Sequence, residues 1–204
     1  MGGPAVPNGL AIKIYPACYA LQRPISAVHG LSLIDPDDVT RIVLRTPEAT
    51  VAPLIHHRPA TGLEAKFSLE YAVAAALLDA HPGFGSFTDA AARRPEAQRL
   101  VRLVETRREP GGSWLLDGEI DVEIHTRDGA VGRTRLRYPP GSPQRPPTDG
   151  ELGAKIDDCL LAAGLPSLDP ADWSWNRAPQ LLRTHLVASL GWLRLDAGTS
   201  GPCR

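Results

Sequence analysis

The chain lacks most of the residue patterns that mark a specialised class of protein. Its three cysteines, Cys18, Cys159 and Cys203, lie far apart, with no CxxC spacing and no histidine near them at ligand spacing. This argues against a disulfide framework and a structural zinc site, and it suits a reducing compartment. Lysine and arginine together number 22 against 23 aspartates and glutamates, and the two signs are interspersed. Without a basic patch, neither nucleic acid nor a membrane surface is expected as a partner. No apolar run approaches the roughly 18 to 20 residues of a membrane span. Residues 1–8 have neither the basic nor the apolar region of a secretory signal, so a cytoplasmic protein is expected. HExxH, GxSxG and Gly-rich phosphate loops are also missing, spacing alone defines no nucleophile–base pair, and no cofactor or metal ion is expected.

What the chain does have is a stretch at residues 56–81, HHRPATGLEAKFSLEYAVAAALLDAH, around which the rest is organised. After Gly62, apolar residues recur at Leu63, Phe67, Ala74, Leu77 and Leu78 at nearly helical spacing. The run from Ala72 to Ala76 is apolar throughout, which predicts a helix buried on more than one side. Its first turns carry Glu64, Lys66, Ser68, Glu70 and Tyr71, polar groups that a buried helix must pair or use. Lys66 and Glu70 stand at i,i+4 and are expected to form an ion pair.

Around this stretch the pattern predicts an α+β domain, with an antiparallel sheet of about four strands packed with helices. Residues 1–9 read as a flexible N-terminal segment, 10–165 as the domain, and 166–204 as an irregular segment followed by a helix over 180–195. Residues 10–15 are expected to be extended and 17–33 helical, with Pro24 near the helix start. Strands are predicted at 39–45, 103–108, 120–126 and 131–138, the last two joined through Asp128-Gly129 as a hairpin. Thr88 and Pro95 should open short helices, and Thr148 with Glu151 forms a capping-box pattern. The helix that follows should pack Leu152, Ile156, Cys159 and Leu160 inward.

Two clusters could carry chemistry. In the first, Lys13, Tyr15 and Cys18 sit within one turn, where Lys13 is either a carboxylate anchor or a surface lysine beside a buried Tyr and Cys. The second comprises Glu64, Lys66 and Tyr71. The histidines read as weaker evidence: His29 as a satisfied core residue, His81 as a helix C-terminal cap, His125 on a strand face, and His56 and His57 on opposite sides of the chain.

At these clusters the chain resembles the MmgE/PrpD family, which includes 2-methylcitrate dehydratase, cis-aconitate decarboxylase and iminodisuccinate epimerase. The resemblance rests on GLAIKIYPACYALQRPI (9–25), RPATGLEAKFSLEYAVAAAL (58–77) and YPPGSPQRPPTDGELGAKIDDCL (138–160), in that order. It implies the smaller α+β domain that follows a large helical domain in members about twice this long, with the active site between the two. A helical-domain partner subunit and a homodimer are therefore expected as partners, with a small polycarboxylate as substrate. The reaction implied is a dehydration, decarboxylation or epimerisation that begins with proton removal next to a carboxylate.

By position, the resemblance makes Lys13 and Cys18 the catalytic candidates, and Lys13, Tyr15, Lys66 and Tyr71 the substrate-binding ones. Cys18 stands where some members carry a histidine. Gln22 and Ser142 also replace family histidines, which removes proton carriers that work near neutral pH. A non-catalytic binding or oligomerisation domain is the alternative.

Overall fold

The computed structural model describes residues 10–31, 34–112, 118–167 and 169. The expected N-terminal segment 1–9, the Trp173–Trp175 region and the helix over 180–195 lie outside the described residues.

Tyr19–Leu21 forms a 3₁₀ turn that runs into α1, Gln22–His29, and Pro24 falls in the first helical turn, where a missing N–H costs nothing. Asp35 caps a second 3₁₀ turn and leads into β1, Val39–Pro47. The chain then passes through α2 (Glu48–Val51), α3 (Gly62–Ala65), α4 (Leu69–Leu78), α5 (Asp89–Ala92) and α6 (Pro95–Leu103). It returns to the sheet as β2 (Val104–Glu109), β3 (Ile120–Thr126) and β4 (Val131–Leu136), and ends the described part with α7 (Asp149–Ala162).

The sheet has four strands in the order β2-β1-β3-β4, as expected of an α+β domain. β1 pairs antiparallel with β3, and β3 with β4, whereas β1 and β2 run parallel. The parallel pair follows from the connection: the chain reaches β2 only after crossing the helical layer α2–α6, and such a crossover returns it in the same direction. Residues 10–13 join no strand; Ile12 instead donates its N–H to the Gly141 carbonyl at 2.8 Å.

Ile42 and Leu44 of β1 and Ile120, Val122 and Ile124 of β3 face the helices and are buried. α1 packs on β3 and β4, α6 on β1, and α4 lies between α1 and α6. Small side chains permit that position, since Ala72, Val73, Ala74 and Ala75 are all 0% exposed. The opposite face of the sheet is charged, and most of its pairs cross between strands. Arg41 and Arg107 meet Glu105, Arg45 and Arg133 meet Glu123, and Arg135 meets Asp121.

The organising stretch departs from one continuous helix. α3 stops at Ala65 with Lys66 as its C-cap, and Ser68 restarts the chain by accepting the Tyr71 N–H at 3.2 Å. The break turns the Lys66 carbonyl toward Cys18, whose N–H it accepts at 3.0 Å. Leu63 (71% exposed) and Phe67 (36%) therefore lie on the surface rather than on a core face. The Lys66–Glu70 pair does not form, and Glu70 accepts from or binds His57 Nδ1 at 2.9 Å instead. The inward stripe expected on α7 is also overturned: no residue of the helix is fully buried and Cys159 is exposed, because α7 lies at the rim, tied by Asp158 to the Phe84 N–H. No described helix is long and apolar enough to cross a membrane.

Candidate functional site

The turn at residues 13–18 is held from behind. Gln22, 0% exposed, accepts the Tyr15 N–H at 3.0 Å and donates its amide to the Tyr15 carbonyl at 2.9 Å. A buried side-chain amide thus replaces strand neighbours for a segment that has none. The Cys18–Lys66 backbone bond fixes the far end of the turn, and Gly141, at φ +82°, fixes the near end. A Cβ on Gly141 would come within 2.1 Å of the Ile12 carbonyl oxygen, so only glycine allows this approach.

From this frame Lys13 projects as an exposed side chain, while Ile14 and Tyr15 are buried. Lys13 forms no ion pair among the described residues. Cys18 is half-buried with a free thiol. Lys66 is half-buried, and its ammonium lies 5.8 Å from the centre of the Phe84 ring. Tyr71 is 0% exposed and donates its hydroxyl to the Ser86 carbonyl, so it is not brought to the surface that carries Lys13. Burial pushes its phenol upward, partly offset by Arg94.

Tyr15 points into a second place, an open cavity of about 370 Å³ between α1, the segment after α4, and the start of α7. His29, His81, Ser26, Arg145 and Glu151 line it with Tyr15. The Tyr15 hydroxyl is 3.4 Å from His29 Nδ1, and the Tyr15 and His81 rings lie 5.4 Å apart. Burial lowers the affinity of His29 for protons, opposed mainly by the Asp79 backbone, and it lowers that of His81, opposed by the Asp158 charge. Tyr15 is raised, chiefly by burial. His81 does not cap α4, which ends at Leu78 with Asp79 as its C-cap. His29 is half-buried at the end of α1 rather than in the core, with Nδ1 near the Tyr15 hydroxyl and Nε2 without a partner at good geometry among the described residues, although the Asp79 and Ala76 backbone groups lie close. Spacing gives no hint that these two histidines converge, because the α1–α4 packing alone brings them together. Among the described residues no group of three or more metal-ligating side chains is gathered.

The family model of the MmgE/PrpD C-terminal domain matches residues 15–166. The chain belongs to the MmgE/PrpD family. The match covers the mixed sheet, its helical layer and α7, and it starts just after Lys13, so Lys13 is placed by its adjacency to the matched turn. Two positions where MmgE/PrpD resemblance suggests histidines are used here by the scaffold. Gln22 braces Tyr15, and Ser142, 5% exposed, accepts the Arg145 N–H in the loop before α7. No curated protein matches the chain.

Proposed function

We propose that the chain forms the α+β part of a lyase or isomerase that acts on a small polycarboxylate, together with a helical domain supplied by a partner subunit or by further chain. In this reading the Lys13 ammonium holds a substrate carboxylate. The half-buried Cys18 thiol serves as a proton donor or acceptor, and the helical domain brings the base that removes the proton next to the carboxylate. Lys66 adds a second cation at the same surface.

The observation that carries this reading is an exposed Lys13, without an ion pair among the described residues, on a turn braced at Gln22 and at Lys66. Rigid backbone under a mobile cation is what carboxylate capture needs, because less ordering is left to occur on binding. Exposed Leu10, Ile12, Leu63 and Phe67 support a covering partner or a second copy. The structural use of Gln22 and Ser142 supports the alternative, a binding or oligomerisation domain without catalysis.

The test is thermal stabilisation and turnover with cis-aconitate, methylcitrate and iminodisuccinate, alone and with any helical partner. The reading expects stabilisation by at least one of the three, lost in Lys13→Met. Turnover by this chain alone would sink the non-catalytic alternative. Absence of any carboxylate effect in either setting would remove Lys13 as an anchor.

A further inference from the structure

The cavity around Tyr15 holds two polar atoms that native packing rarely leaves idle. Among the described residues, Nε2 of His81 is shielded from solvent with no hydrogen-bond partner, and Nε2 of His29 is shielded with no partner at good geometry, although the Asp79 and Ala76 backbone groups lie close. Ser26 Oγ donates to the Gln22 carbonyl at 2.8 Å, so the Tyr15 hydroxyl hydrogen is shared between His29 Nδ1 and Ser26 Oγ, each 3.4 Å away. When the Tyr15 hydrogen goes to Nδ1, His29 carries its own proton on Nε2, which the Asp79 and Ala76 backbone groups approach and an anion in the cavity would compete for.

Arg145 supplies more donors. Its Nη2 binds Glu151 Oε1 at 3.0 Å, and its remaining guanidinium N–H groups make no side-chain bond among the described residues. Glu151, the one carboxylate lining the cavity, is already engaged: its other oxygen takes the Thr148 N–H at 2.9 Å and lies 3.2 Å from the Thr148 hydroxyl. Spare Arg145 donors and an unpartnered His81 nitrogen therefore face a space whose one carboxylate is already engaged.

We propose that this cavity is a binding site for a small oxyanion, a carboxylate or phosphate group, held by Arg145 and the two imidazoles. The site is separate from the Lys13 surface and stands whether or not Lys13 anchors a substrate. About 370 Å³ is room enough for a small anion. The charges cancel, with Arg145 against Glu151 in the lining and Lys155 against Asp158 acting on His81 from beyond it, so an anion gains most when an imidazole also takes up a proton. Binding should tighten as the pH falls through the imidazole range.

The test follows the imidazole NMR signals of the chain during titration with inorganic phosphate and, separately, with succinate; sodium chloride at matched ionic strength is the control. The expected result is a saturable shift of His29 and His81 with phosphate, succinate or both, while exposed His57 stays still. Which titrant acts identifies the source of the oxyanion. Arg145→Met should weaken binding about tenfold or more, as loss of a charge-assisted bond implies. Because Arg145 also steadies Glu151, His81→Phe serves as a second variant that keeps this ion pair, and it should weaken binding too. Lys13→Met should titrate as the wild type does. Equal shifts in chloride, or wild-type affinity in both Arg145→Met and His81→Phe, would overturn the proposal, and loss of binding in Lys13→Met would overturn the separateness of the two sites.

Discussion

The outer face of the sheet and the surroundings of the 13–18 turn are both polar, yet they are put together differently. On the sheet, arginines alternate with carboxylates so that most charges find an opposite one, chiefly on the next strand, as Arg45 and Arg133 do with Glu123. These pairs pull Glu105 and Glu123 below the usual carboxylate range and push Arg45 and Arg135 up. Little is left over for a ligand among the described residues, and the charges mainly cover Val43, 1% exposed on that face. Around the turn the pairing is spent on backbone, by Gln22 and by the Cys18–Lys66 bond, while Lys13, His81 Nε2 and part of Arg145 have no partner among the described residues. A dense array of charges is therefore weaker evidence of a site than a few unsatisfied groups on a well-satisfied frame.

Four experiments break or sharpen that contrast. The largest effect should come from Gln22→Leu, which strands the Tyr15 N–H and carbonyl in a buried setting. At about 1–3 kcal/mol for each unsatisfied group, denaturant unfolding should show a loss of about 2–6 kcal/mol together with loss of any Lys13-dependent binding. Next, Tyr71→Phe leaves the buried Ser86 carbonyl without its donor, and should cost about 1–2 kcal/mol in the same measurement, with carboxylate binding intact.

Third is acid sensitivity. His29 and His81 are held below their ordinary value of 6.5, so the unfolded chain takes up protons first as the pH falls. Their contribution is complete above that value, declines as the pH drops through it, and levels off below the native values. Urea midpoints should fall over this window in the wild type and fall less in a His29→Gln/His81→Gln double variant. The smallest effect is expected from Glu123→Gln on the sheet, whose exposed pairs are screened by water. Its drop in midpoint should be the least of the four and should shrink in high salt.

Much of the fold is legible in the sequence, because it rests on local rules. The Asp128-Gly129 hairpin, the Thr148 to Glu151 capping box, Pro95 at a helix start and the apolar run of α4 each stand where the chain chemistry puts them. What escapes the sequence depends on partners distant along the chain. Helical periodicity runs straight through Lys66–Ser68, yet the helix breaks there because Ser68 offers a competing cap and Cys18 a competing donor. Leu63 and Phe67 keep helical spacing but lose the core once the break rotates them outward. The Lys13 turn was visible as a cluster of residue types. The Tyr15 cavity was not, since one histidine ends α1, the other lies in the segment after α4, and its arginine comes from the loop before α7.

The most direct test of the account is calorimetric binding of cis-aconitate, methylcitrate and iminodisuccinate to the wild type, Lys13→Met and Arg45→Met, each with and without a helical partner. The account predicts that at least one polycarboxylate binds, that Lys13→Met weakens it about tenfold as loss of an ammonium–carboxylate contact implies, and that Arg45→Met leaves it unchanged. Equal affinity in Lys13→Met and the wild type, or binding that depends on Arg45 instead, would contradict it.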